Sequence, residues 1–152
     1  MTNETYTVPL LIDGKEVTTS ATFAVTSPST HKQIWQASSA SLDNVKSAVE
    51  AAQAAFRPWA KTKPSARRAI FLKAAEILQA RGEELGRYMM EETGAEAPFS
   101  SGFNVPLAAE MIRDVAGRIS TVMGSIPTCS DERTSALVVK EPYGVVLGIA
   151  PW

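Results

Sequence analysis

Two side chains in this sequence are of the types that act as nucleophile or base near neutral pH, Cys129 and His31. A cysteine nucleophile needs a base or a positive field beside it to favour the thiolate. No histidine or lysine lies near Cys129 in sequence to activate it, so it reads as a bystander thiol. His31 closes Ser27-Pro28-Ser29-Thr30-His31, whose Ser, Pro and Thr content is turn chemistry, and a turn histidine reads as solvated. One cysteine and one histidine exclude an internal disulfide framework and a Cys/His zinc site. The sequence assigns no catalytic residue and no metal ligand.

Glu83-Glu84 and Glu91-Glu92 invite a paired-carboxylate reading, but each pair belongs to a helical stretch rich in Arg and Lys and fits its solvated face. Arg67-Arg68 reads the same way. Neither G-x-G-x-x-G nor G-x-x-x-x-G-K-[ST] occurs, so no phosphate-cradling loop is visible. The feature that remains is Gly144-Val145-Val146-Leu147-Gly148-Ile149-Ala150 followed by Pro151-Trp152. An apolar run without polar alternation is the pattern of a strand buried on both faces of a parallel sheet. Ligands in open α/β sheets bind beyond the carboxyl ends of such strands, which makes Ile149, Ala150, Pro151 and Trp152 the candidate binding residues. The plainer alternative is that Trp152 caps a core.

The elements that would position this edge follow from pattern and punctuation. Asp13-Gly14 between apolar residues predicts a hairpin over residues 9–17, and Phe23-Ala24-Val25 with Ile34-Trp35-Gln36-Ala37 predicts a second strand-turn-strand unit. From Ser41, which suits an N-cap, Val45, Ala48, Val49, Ala52, Ala55 and Phe56 recur at helical spacing, ending near Arg57-Pro58. Pro64 suits the first turn of a second helix with Ile70, Ala74, Ile77 and Leu78 as its buried stripe. Gly82 marks a break, and Leu85, Tyr88 and Met89 line a helix closed by Gly94. Pro106 places the start of a longer helix near Asn104, with Leu107, Met111, Ile112, Val115, Ile119 and Val122 on one side. Ser125 to Asp131 reads as a loop and Thr134 to Lys140 as an alternating strand.

The 152 residues suffice for one domain with a core, and 45% hydrophobic with 20% charged residues is ordinary for a soluble globular protein. A net charge of −1 gives no basic excess for nucleic acid or an anionic membrane. The N-terminus has no basic, apolar leader pattern, and residues 145–150 are too short to span a bilayer. A cytoplasmic location is the resulting expectation. A strand of the type at residues 144–150 needs neighbours, and no crossover to a parallel partner follows it. The sequence therefore reads as the front portion of a larger α/β protein, cut at its first central strand.

Glu141-Pro142-Tyr143-Gly144-Val145 and Ile149-Ala150-Pro151-Trp152 resemble the segment of NAD(P)-dependent aldehyde dehydrogenases that reads E-P-x-G-V and then I-x-P-W-N. Leu11-Ile12-Asp13-Gly14-Lys15 resembles that family's opening hairpin and Ser27-Pro28-Ser29-Thr30 its N-P-A-T turn. Ala51-Ala52-Gln53-Ala54-Ala55-Phe56 with Trp59, then Arg67-Arg68, then Glu91-Glu92-Thr93-Gly94 follow in the expected order. The match is collinear over nearly the whole chain. Ala97 to Val105, with Arg113, Ala116 and Gly117, is most similar to the salicylaldehyde and vanillin dehydrogenase branch, which implies an aromatic aldehyde for the parent enzyme.

The resemblance implies a fold class. This is α/β, with the N-terminal hairpins and helices of a cofactor domain over residues 1–125, a loop and oligomerisation-type strand over 126–142, and the first strand of a Rossmann-like parallel sheet over 143–152. It also implies a chemistry in which a cysteine thiolate attacks the aldehyde, hydride passes to NAD or NADP, and water activated by a glutamate hydrolyses the thioester. The family's nucleophile lies far beyond the I-x-P-W segment, so Cys129, which precedes it, is not that residue. The asparagine that follows the motif helps form an oxyanion hole and is not in this sequence. Only Ile149, Ala150, Pro151 and Trp152 match positions that line the cofactor, and Ala150 stands where isoleucine is common. The parent is expected to be a homo-oligomer and the chain alone inactive. The competing expectation is a free-standing short protein that pairs with full-length subunits.

Overall fold

Asp13 and Gly14 both have positive φ, 54° and 70°, the two left-handed residues that a two-residue hairpin turn requires. They join β2 (Leu10–Ile12) to β3 (Lys15–Val17), antiparallel, with Leu10 opposite Val17. The structure, a computed structural model, describes residues 6–150. The second expected unit also forms: β4 (Thr22–Thr26) pairs antiparallel with β5 (Gln33–Ser38), Val25 opposite Trp35. Its turn holds His31 at φ 56°. A two-residue strand unforeseen in the sequence, β1 (Thr7–Val8), lies parallel to the other edge of β5, with Thr7 opposite Gln36. Two residues are too few to show an alternation, which is why pattern alone could not reveal it.

Ser41 caps α1 (Leu42–Ala60) in both directions: its hydroxyl accepts from the Asn44 amide at 3.2 Å, and its own amide donates to Asn44 Oδ1 at 2.9 Å. The helix runs through Pro58 rather than ending there. A proline in the last turn deprives a single upstream carbonyl of its donor, and the end beyond it is closed by Thr62, whose amide donates to Trp59 O and hydroxyl to Pro58 O. Pro64 opens α2 (Pro64–Ala80), and a break at Arg81 leads into α3 (Gly82–Thr93). Gly94 closes α3 at φ 73°, its amide donating to Met90 O at 3.0 Å. A one-turn helix, α4 (Ala97–Phe99), and a π-helical turn (Ser100–Asn104) then lead into α5 (Val105–Arg118) and a 3-10 turn (Ile119–Thr121). The helical path thus starts seven residues before the expected Asn104, with Pro106 still in the first turn of the regular helix.

The core sits between α2 and α5, and it is built from small residues. Ala75, Ala109 and Ala116 are fully buried and Val105 nearly so. This overturns the expected stripes in part. On α2, Phe71, Leu72, Ala75 and Leu78 turn inward, while Ile70, Ala74 and Ile77 face out. On α5, Ile112 is half-buried, as is Ile119 in the turn after it, but Leu107, Met111 and Val115 are exposed and Val122 lies beyond both. Both helices carry two neighbouring apolar rows at helical spacing, and the rows that turn inward bring Ala75, Ala109 and Ala116 to the contact, where small side chains allow close approach of the axes. On α1 the expected row at Val45, Ala48, Val49, Ala52 and Ala55 is solvent-exposed, and only Phe56 is half-buried. A further close contact seats the π-turn on α3: a Cβ at Gly86 would lie 2.7 Å from Ser101 Cβ.

Beyond Thr121 the expected strands do not form. Thr134 to Lys140 contributes one isolated antiparallel bridge, Ser125 to Val138, with reciprocal amide bonds of 3.0 and 2.8 Å. Gly144 to Ala150 carries no regular secondary structure, and Val146, Leu147 and Ile149 are largely exposed. A strand cannot satisfy its backbone alone, and no described segment pairs with this one. The accessible surface is 12170 Å², against about 7500 Å² for a compact monomer of this mass. Exposed large apolar side chains contribute to the excess in both the body, as at Leu11, Leu42 and Met111, and the stretch that follows it, as at Leu147 and Ile149.

Candidate functional site

The carboxylates that invite a catalytic reading are held apart by separate partners. Glu84 accepts two bonds from the Arg81 guanidinium, at 2.8 and 2.9 Å, and a third from the Tyr88 hydroxyl at 3.2 Å. The Arg81 hydrogen bonds hold the Glu84 carboxyl below the usual carboxylate range, and the same bonds raise Arg81. A carboxylate kept ionised by a fork of this kind is an ion-pair anchor, not a proton donor. Glu92 accepts from the Trp35 indole N–H at 3.1 Å, and the Trp35 and Tyr88 rings meet edge to face with centroids 5.8 Å apart. These side chains fasten β5 to α3. The spacing of Arg81, just before α3, and of Glu84 and Tyr88 on its first turns makes that part of the cluster visible in sequence. The Trp35–Glu92 bond joins residues 57 apart, and nothing local signals it.

Cys129 is half-buried, with its thiol 3.9 Å from the Pro127 carbonyl, and His31 is exposed in its turn. Arg67 donates to the Thr62 carbonyl at 3.0 Å. Among the described residues no group of three or more His, Cys, Asp or Glu side chains is placed to hold a metal ion. Among them, too, no helix is long and apolar enough to cross a membrane. An open groove between α3 and the π-turn is lined by Met89, Thr93, Ala95, Phe99 and Asn104. The Asn104 amide donates to the Met89 sulfur at 3.6 Å.

Of the four candidate cofactor residues, Ile149 and Ala150 lie exposed on the unpaired C-terminal stretch. Pro151 and Trp152 lie outside the described residues. The two described candidates, Ile149 and Ala150, lie on no sheet edge. A dinucleotide cradle needs backbone amides or a helix N-terminus aimed at the phosphates beside a paired strand. Residues 144–150 show no such arrangement among the described residues.

Comparison with known proteins supplies what the isolated geometry does not. The model of the aldehyde dehydrogenase family matches residues 16–152. A vanillin dehydrogenase from a Pseudomonas species is 44% identical over 147 residues, covering 95% of this chain and 30% of its own length. A crystal structure of salicylaldehyde dehydrogenase from Pseudomonas putida, complexed with salicylaldehyde, superposes with a TM-score of 0.82 at 25% identity over 90% of this chain and 28% of its own. An NAD-dependent benzaldehyde dehydrogenase from Corynebacterium glutamicum gives 0.79 at 26% identity, over 87% of this chain and 29% of its own. The chain thus spans about 30% of the length of the relatives it matches. With a collinear match from the opening hairpin to the E-P-x-G-V segment and a shared α/β body, the chain belongs to the aldehyde dehydrogenase family.

Proposed function

We propose that this chain supplies the N-terminal part of an oxidoreductase that converts an aromatic aldehyde to its carboxylic acid with NAD or NADP, through a thioester on a cysteine that the chain itself does not carry. The observation that carries this reading is the 44% identity to a vanillin dehydrogenase across nearly the whole chain, joined by structural likeness to enzymes named for salicylaldehyde and benzaldehyde. In this reading residues 1–125 are the hairpins and helical part of the cofactor domain. Residues 126–142 form a loop and an oligomerisation strand, and residues 143–152 the first Rossmann-like strand. Ile149, Ala150, Pro151 and Trp152 then border the cofactor beyond that strand's carboxyl end. The complete enzyme is a cytoplasmic homo-oligomer.

The test is reconstitution. The chain is joined to the remaining length of the Pseudomonas vanillin dehydrogenase, and reduced cofactor is followed with vanillin, benzaldehyde and an aliphatic aldehyde. We expect no turnover by the 152-residue chain alone and unchanged behaviour on Cys129→Ser. The joined protein is expected to turn over, with kcat/KM higher for the aromatic aldehydes. Activity of the chain alone that is lost on Cys129→Ser would overturn the assignment of Cys129 as a bystander. A preference for the aliphatic aldehyde in the joined protein would overturn the substrate class. Trp152→Ala in the joined protein tests the cofactor edge: weaker cofactor binding at an unchanged denaturant midpoint supports it. A lowered midpoint with normal kinetics removes it, since a tryptophan lost from a core costs ~3 to 5 kcal/mol.

A further inference from the structure

We draw no further inference here: the strongest candidate, the exposed apolar row of Phe99, Phe103, Leu107, Met111 and Val115 along α4, the π-turn and α5, carries nothing because nothing in the structure shows what covers it.

Discussion

The body of the chain through Thr121 and the stretch that follows it both carry abundant apolar residues, yet one forms regular helices and strands and the other, as described to Ala150, does not. In the body, several elements are closed by something nearby. The Asp13-Gly14 turn closes a hairpin, Ser41 and Asn44 cap α1, and Gly94 ends α3 in the left-handed conformation. Those devices satisfy backbone groups within a few residues of where they arise. The stretch from Val122 to Ala150 depends on pairing across distance, and among the described residues it obtains one bridge, at Ser125 and Val138. Local chemistry is enough to start a helix, whereas a buried strand exists only as part of a sheet.

The sharpest way to break this contrast is to attack the body where it is densest. Ala109 is fully buried between α2 and α5. Ala109→Asp places an unpaired charge there and should lower stability by ~3 to 5 kcal/mol, read as the denaturant midpoint of the helical circular dichroism signal. An unchanged midpoint would mean that the α2–α5 contact is not the core. Next in size is Gly86→Val. The absent side chain at Gly86 lets the Ser101 backbone approach within 3.0 Å of where a Cβ would be, and overpacking of this kind costs typically ~1 to 3 kcal/mol. The better helix propensity of valine over glycine returns only a few tenths of that, about 0.3 to 0.5 kcal/mol. A rise in the midpoint would show that the π-turn is not seated as described.

A smaller effect is expected at the N-terminus of α1. Ser41→Ala removes one half of the capping box and should cost ~1 kcal/mol of helix stability, while Ser41→Asp, which keeps an acceptor, should not. Equal losses in the two variants would remove the capping explanation. At the other pole of the comparison, Leu147→Lys with Ile149→Lys should leave the body's midpoint within ~0.5 kcal/mol, as for surface positions generally. The same pair of changes should reduce self-association of the chain in sedimentation and its binding of an apolar dye, because these side chains form part of an exposed apolar patch. A large midpoint loss from the lysine pair would show that this stretch packs on the body after all.

What the sequence determined was part of the body: the hairpin, the second strand pair, the Ser41 cap, the break just before Gly82, the stop at Gly94, and the collinear family pattern that ends at Ile149-Ala150-Pro151-Trp152. These follow from φ preferences and side-chain donors and acceptors within a few residues, which a sequence displays directly. Tertiary structure decided which of two apolar rows on α2 and α5 turned inward, choosing Ala75, Ala109 and Ala116 over Ile70, Met111 and Val115. It decided that Gly86 would receive Ser101, that Trp35 would bond Glu92, and that β1 would lie parallel to β5. It also decided that residues 144–150, apolar enough for a central strand, would form none without a paired neighbour. The period of a helix permits several faces and the pattern of a strand names no partner, so close packing and the supply of hydrogen-bonding neighbours select among arrangements that the sequence leaves equally well formed.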